Sequence, residues 1–266
     1  MERQRNFTIK QIVPSRLSTM DVCRIGRSKN YISVFLELDV TEARTKIREK
    51  KAHSENVSFT AWLIKCISEA AYAHKEIHAM RKGHRKIVLF DDVDISLLVE
   101  KEVGDERVPI PYVIRKTNEK SVGEIHEEIR QFKETAIKHE GDFVPGDKRS
   151  ARLMKLYYAL PGPVRRMYLR GLLRNPFRAQ REMGTIAVTA LGMMGRLNGW
   201  FTPIGIHPLV VAIGSIIKKP GVQGDAISVR EYLQVTLMAD HDVIDGAPAA
   251  RAMTRLAKLI EGGVNL

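Results

Sequence analysis

Leu237-Met-Ala-Asp-His-Asp-Val-Ile-Asp-Gly-Ala-Pro-Ala-Ala-Arg251 is the stretch on which the reading of this chain turns. Residues 231–240, which lead into it, are rich in β-branched and apolar side chains and read as a strand. Behind it, small and apolar residues recur at three-and-four spacing, predicting a helix over 247–261 that buries Ala250, Met253, Leu256, Ala257 and Ile260. The strand delivers His241 to a short turn, and Asp245-Gly246 opens the helix. A side chain in that place is held by rigid backbone on one side and opens to a loop on the other. A histidine titrates at roughly 6.5 in model peptides, so its neutral imidazole can accept a proton near neutral pH. A carboxylate four residues on can orient the ring or the loop. Taken alone, the pattern also fits a helix N-cap at Asp245 and a hydrogen-bonded polar residue at position 241.

Working outward, residues 31–40 (YISVFLELDV) read as a strand, with Thr41 as N-cap of a helix through residue 51. A helix starting at Ser58 or Thr60 runs to about residue 74, with Trp62, Leu63, Cys66, Ile67, Ala70 and Ala71 on its apolar side. Strands are expected over 86–89, 93–99 and 108–114. Ser121 then caps an amphipathic helix over 122–139. Residues 141–146 read as a loop, followed by two helical pieces split at Pro161-Gly-Pro163. Further strands are expected over 185–189 and 209–217. Residues 197–217 are apolar and as long as a membrane span, but Pro203, Pro208, His207 and Asn198 make them a loop followed by a core strand.

A chain of 266 residues with 44% hydrophobic and 28% charged residues can bury one globular core. The net charge of +12 is concentrated in one element: between residues 148 and 182 ten basic residues face a single acid, Glu182. Two cysteines, Cys23 and Cys66, and an amino terminus without the apolar run of a signal peptide point to a reduced, cytoplasmic protein. The histidines are scattered without paired-ligand spacing, so no metal is expected.

The His241-x-x-x-Asp245-Gly246-Ala247 pattern resembles the active-site motif of the dihydrolipoyl acyltransferases of 2-oxoacid dehydrogenase complexes, and chloramphenicol acetyltransferase, a fold relative, shares its core. Upstream, Gly184-Thr-Ile-Ala-Val-Thr-Ala-Leu-Gly192 looks like that family's Gly-Thr-Phe-Thr-Ile-Ser-Asn-Leu-Gly, with Thr189 on the hydroxyl position. Weaker matches extend the resemblance over residues 15–138 and 184–264. It implies an α/β architecture, a mixed β-sheet covered by helices, with the chloramphenicol acetyltransferase-like fold of coenzyme A-dependent acyltransferases. It also implies a single catalytic domain over 1–266, acting as a homotrimer with its channel at the subunit interface. His241 would be the general base, Thr189 the donor to the tetrahedral intermediate, and Asp245 the organiser of the loop.

Coenzyme A would then be a substrate, entering from one side, with the acyl carrier entering from the other. Thiolate is the nucleophile in thioester exchange, so the attacking thiol needs a base, an effect of about 10²–10⁴-fold. No acyl-enzyme is required, so the lack of a nucleophilic serine or cysteine motif is no objection.

Departures from the family shape the remaining expectations. The resemblance covers neither a lipoyl domain nor a peripheral subunit-binding domain, so no lipoyl group is expected on this chain and a lipoyl or acyl carrier is expected in trans. Ser18-Thr-Met20 is followed by Asp21 where the family has arginines, leaving Arg24 as the candidate partner of Asp245. Ala190 replaces a polar residue beside Thr189. The basic segment over about 139–183 is an insertion. It reads either as solvated helices packed on the core or as a docking face for an anionic membrane surface, through residues 148–182, or for an acidic carrier. No motif supports nucleic acid as a partner. The alternative to an enzyme is a non-catalytic relative serving as an oligomeric scaffold or a membrane- or carrier-docking protein.

Overall fold

The computed structural model describes residues 7, 9, 12, 14–53, 55, 57–103, 106–135, 156–190 and 198–266. Seven helices are seen among them: α1 (Pro14–Gly26), α2 (Thr41–Ala52), α3 (Phe59–Ala73), α4 (Val122–Glu134), α5 (Gly162–Arg174), α6 (Pro176–Met183) and α7 (Gly246–Glu261). The strands are β1 (Tyr31–Asp39), β2 (Met80–Lys82), β3 (Lys86–Val88), β4 (Ile95–Val103), β5 (Glu106–Ile114), β6 (Ile186–Ala190), β7 (Leu209–Gln223) and β8 (Ala226–Asp240). Six of them form one sheet in the order β1-β8-β7-β6-β4-β5, and β2 and β3 form a separate hairpin. The β7–β6 and β6–β4 pairs are parallel and the other three antiparallel, so the sheet is mixed as expected.

One face of the sheet carries Leu233, Val235 and Leu237 of β8, Leu209, Val211 and Ile213 of β7, Ile186 and Val188 of β6, and Ile95 and Leu97 of β4. These pack against α3, α4 and α7 in a single core. Trp62 of α3 is fully buried there, and its indole donates to the Val264 carbonyl at 2.8 Å. Ser58 caps α3 by accepting from Ala61 N at 3.2 Å, and Ser121 forms a capping box with Glu124 at the start of α4. Over β7 and β8 the opposite face is covered by the stretch 198–206. There Trp200 donates to the Leu36 carbonyl at 2.8 Å and Asn198 accepts from the Gln234 amide at 3.0 Å.

Several boundaries differ from the sequence reading, each for a local reason. Thr41 is the first residue of α2 rather than its cap. Its N–H and hydroxyl donate to Asp39 Oδ1 at 2.9 and 2.6 Å, and the hydroxyl accepts from Glu231 N at 2.8 Å, tying β1, α2 and β8 together. α7 buries Met253, Leu256 and Ile260 as expected, with Ala257 partly buried against the core, and adds Ala249, Ala252 and Leu259, while Ala250 is exposed. β7 and β8 run far past residues 217 and 231 into a hairpin closed by Gly224-Asp225, where Gly224 takes a positive φ of 59°. The loop expected over 141–146 lies outside the described residues. The basic segment breaks twice, at Pro161 and again at Asn175-Pro176, each proline sitting in the first turn of a new helix or just before it.

α1, which carries no periodicity strong enough to predict it, is held by that basic segment. Asp21 is 1% exposed, and its two carboxylate oxygens accept from Arg165 Nε at 2.7 Å and Arg166 Nη1 at 3.2 Å. Arg165 is itself buried and also donates to the Leu160 carbonyl at 2.6 Å. Removing one partner from a buried ion pair strands the other without compensation. Replacing Asp21 with Ala should therefore lower stability by on the order of 3–5 kcal/mol, measured by chemical denaturation. A loss below about 1 kcal/mol, the range of exposed pairs, would show that the insertion is only loosely attached to α1.

Candidate functional site

β8 ends at Asp240, and His241 begins the turn to α7. The turn is held from both sides. The His241 N–H donates to the Asn30 carbonyl at 2.7 Å and the Asp240 N–H to the Pro208 carbonyl at 2.8 Å. Asp240, 2% exposed, pairs with Lys29 at 2.5 Å and accepts the Asp242 N–H at 3.2 Å. Asp242 accepts from Asn30 Nδ2 at 2.9 Å and pairs with Arg81 of β2 at 3.1 Å. The Asn30 hydrogen bond first, then Arg81 and Lys29, hold the Asp242 carboxyl below its usual range. Tyr31 donates to the His207 carbonyl at 2.7 Å, and burial, then the Asp240 charge, push its hydroxyl well above the ordinary tyrosine range.

This clamp leaves the imidazole free. The His241 side chain is 49% exposed, with Nδ1 3.8 Å from Asp245 Oδ1. That distance suits orientation of a protonated ring but exceeds hydrogen-bond length. Asp245 is the N-cap residue of α7, makes no side-chain capping bond and is 89% exposed. Among the described residues its ion-pair partner is His241, and Arg24 forms no ion pair with it.

Thr189 lies elsewhere. It is 8% exposed near the end of β6 and pairs in register with Ala212 of β7, which pairs with Thr236 of β8. Thr236 is five positions before His241 along β8. With about 3.3 Å per residue and about 4.8 Å per strand, Thr189 and His241 of one chain stand on the order of 20 Å apart. The structure brings His241 and Asp245 together and leaves Thr189 distant. Gly184, at the head of the Thr189 block, takes φ 74°, and a Cβ there would stand 2.7 Å from the Asp94 carbonyl oxygen.

Sequence reasoning missed the residues that hold the loop: Lys29, Asn30 and Arg81 lie far from the motif in sequence. Asp240 and Asp242, which flank His241, were the available signal. Two further histidines near this end of the sheet are structural. Burial pushes His78 down to about 4, as it does His207. His78 Nδ1 lies 3.0 Å from the Thr185 hydroxyl, and His207 Nε2 donates to the Met183 carbonyl at 2.9 Å. Cys23 and Cys66 are free, and burial raises the Cys66 thiol to about 12. Among the described residues no group of three or more His, Cys, Asp or Glu could hold a metal ion, and no helix is long and apolar enough to cross a membrane.

With this geometry in place, comparison with known proteins is specific. The family described as 2-oxoacid dehydrogenases acyltransferase (catalytic domain) matches residues 26–143 and 177–266, and the chain belongs to it. The dihydrolipoyllysine-residue acetyltransferase component of the pyruvate dehydrogenase complex of Buchnera aphidicola is 25% identical over 240 residues, 86% of this chain and 48% of that protein. The chain spans between about a fifth and a half of the length of the curated relatives it matches first. Among solved structures, a probable dihydrolipoamide acetyltransferase from Listeria monocytogenes superposes with a TM-score of 0.68 at 19% identity, covering 97% of this chain and 95% of that one. A chloramphenicol acetyltransferase gives 0.51 at 16% identity, covering 96% and 100%. The expected fold, a mixed sheet covered by helices in the chloramphenicol acetyltransferase-like arrangement, is the observed one.

The two buried histidines make stability depend on pH with a definite sign. Both are neutral in the folded chain down to about pH 4, while an unfolded histidine protonates near 6.5. The unfolded state therefore binds more protons in between, and this part of the stability is complete above about 6.5 and lost as pH falls. The denaturation midpoint should drop between about pH 6.5 and about pH 5, above the range where the carboxylates titrate. His207→Gln should flatten that slope; an identical slope in the variant would refute the assignment.

Proposed function

We propose that the chain is a coenzyme A-dependent acyltransferase that moves an acyl group between coenzyme A and a thiol of the dihydrolipoyl type, with His241 as general base. The observation that carries this reading is His241 itself. It is a half-exposed imidazole on a rigidly clamped turn, inside the motif by which the chain resembles its family, with Asp245 beside it. The segment 144–176, between the two matched stretches, we read as an insertion within one catalytic domain.

In this mechanism neutral His241 removes the proton from the attacking thiol. The thiolate adds to the thioester carbonyl, and the carbonyl electrons move onto oxygen. A hydroxyl donates to that oxyanion, Thr189 being the residue on the matching position. Collapse expels the other sulfur as thiolate, which takes the proton back from the imidazolium, so the protein ends as it began. Asp245, 3.8 Å from Nδ1, keeps the ring oriented and steadies its protonated form.

The separation of His241 from Thr189 within one chain supports a site shared between subunits, with His241 of one protomer facing the partner subunit's Thr189. A cyclic homotrimer supplies three such sites. The far end of the β7–β8 hairpin supports association of copies as well, since Val222, Ile227 and Val229 are each more than 70% exposed there. A cytoplasmic setting, with the carrier supplied in trans, completes the proposal; peripheral association with an anionic membrane is the competing partner reading.

Two measurements test it. Transfer from acetyl-coenzyme A to dihydrolipoamide should fall about 10²–10⁴-fold in His241→Ala and about 10²–10³-fold in Thr189→Ala, without loss of folding. Equal turnover in wild type and His241→Ala would leave a scaffold or docking role instead. Mixing the two inactive variants under conditions that exchange subunits should recover about a quarter of wild-type activity, because random assortment rebuilds that share of intact shared sites. No recovery would show that the two residues do not act across one interface.

A further inference from the structure

We propose that the surface built by the β2–β3 hairpin together with α5 and α6 is the docking face for an acidic carrier domain, which presents its acyl- or thiol-bearing arm to His241; this rests on the transferase reading above. The two parts are distant in sequence but joined in space. Met80 and Phe90 share a small core with Ala179, flanked by Val88 and Met183, and Phe177 meets the Phe90 ring edge-on at 6.5 Å. The hairpin contributes exposed Arg81, Lys82, Arg85 and Lys86, and the helices contribute exposed Arg170, Arg174, Arg178 and Arg181. Arg81 is paired with Asp242 and Arg181 with Glu182. The other six have no acidic partner among the described residues, so the two packed elements carry six unneutralised cations.

The exposed aromatics favour a protein partner, while Met167 and Ile87, 69% and 48% exposed, are the uncapped apolar groups beside them. Phe177 and Tyr168 are about half exposed, but Lys82 Nζ stands 5.0 Å over the first ring and Arg178 Cζ 5.3 Å over the second. Arg178 also donates to the Tyr168 hydroxyl at 2.9 Å. Aromatic faces capped by cations are poorly placed to enter a hydrocarbon layer, where an interfacial helix buries a continuous apolar face. Exposed aromatics interleaved with arginines are the composition of protein interfaces, and opposite charge steers encounter and register there. Position points the same way. Arg81 lies at the edge of this surface, and the carboxylate it holds belongs to the residue next to His241. A carrier seated on these six cations therefore has the turn of His241 beside it. The sequence reading had placed docking on the basic insertion alone. The structure removes Arg165 and Arg166 from that face, because both are spent on Asp21, and adds the hairpin.

The test uses the full chain with Arg85→Glu, Lys86→Glu and Arg174→Glu combined, three exposed positions with no ion pair among the described residues. The carrier is an acidic lipoyl domain, reduced before use, and the small control acceptor is free dihydrolipoamide. The expected result is a rise of at least about tenfold in KM for the lipoyl domain, together with loss of its salt dependence and unchanged turnover of dihydrolipoamide. Binding of the lipoyl domain followed directly by fluorescence anisotropy should weaken in parallel. That readout stands even if neither acceptor is turned over, the result that would sink the transferase reading alone. Unchanged KM and unchanged anisotropy would overturn the docking proposal. So would a variant that loses only its binding to phosphatidylserine vesicles, which would assign the face to a membrane.

Discussion

The register of β8 between its two neighbours is the constraint from which the rest of the structure follows. Tyr31 faces Asp240 on one side and Leu209 faces Ala239 on the other, so the strand stops where the chain enters from α1 and where β7 begins. A slip of one residue would turn Leu233, Val235 and Leu237 out of the core and part the buried Asp240 from Lys29. Strong burial on one face thus pins the strand. The pinned strand then fixes the point where backbone pairing ends and His241 is released to the turn. Catalytic side chains at strand ends inherit the precision of the sheet while their tips stay accessible.

The same register sets Thr189 and His241 far apart within one chain. Thr189 and Thr236 are level with each other across Ala212, and His241 lies beyond the opposite end of β6. No rotamer change closes that gap, since the sheet between them is packed on both faces over β7 and β8. Either the hydroxyl and the imidazole work apart, or a second copy brings them together. Under the mechanism proposed above, the interior of the fold rather than its surface is what favours assembly.

Most of the sheet was legible in the sequence because its strands carry β-branched runs and its helices carry caps: Ser58 and Ser121 fall where their side chains predict. In α7 only Ala250 was misplaced, because alanines at 249, 250, 252 and 257 are equally small, and which of them turns inward is decided by packing rather than by pattern. The outer half of β7 was missed because its Lys218-Lys-Pro-Gly221 run lacks strand character, and the start of β8 because Ala226 to Val229 are exposed on a solvated ribbon. The motif residues were legible and their surroundings were not. Lys29, Asn30 and Arg81 act through contacts that span between 161 and 212 positions of sequence, which no local pattern encodes.

The two departures that stood out in the sequence, an acid at Asp21 and a basic insertion, are one feature in the fold. Asp21 would be a buried, uncompensated charge on α1 unless a cation came to it, and Arg165 and Arg166 are those cations. The insertion is therefore tied to α1 by a demand that α1 itself creates. α1 runs into the loop that carries Lys29 and Asn30, the two residues that grip the turn of His241. On its other side the insertion packs through α6 on the β2–β3 hairpin, whose Arg81 grips the same turn at Asp242. The basic segment is thus braced against both elements that hold the turn carrying His241.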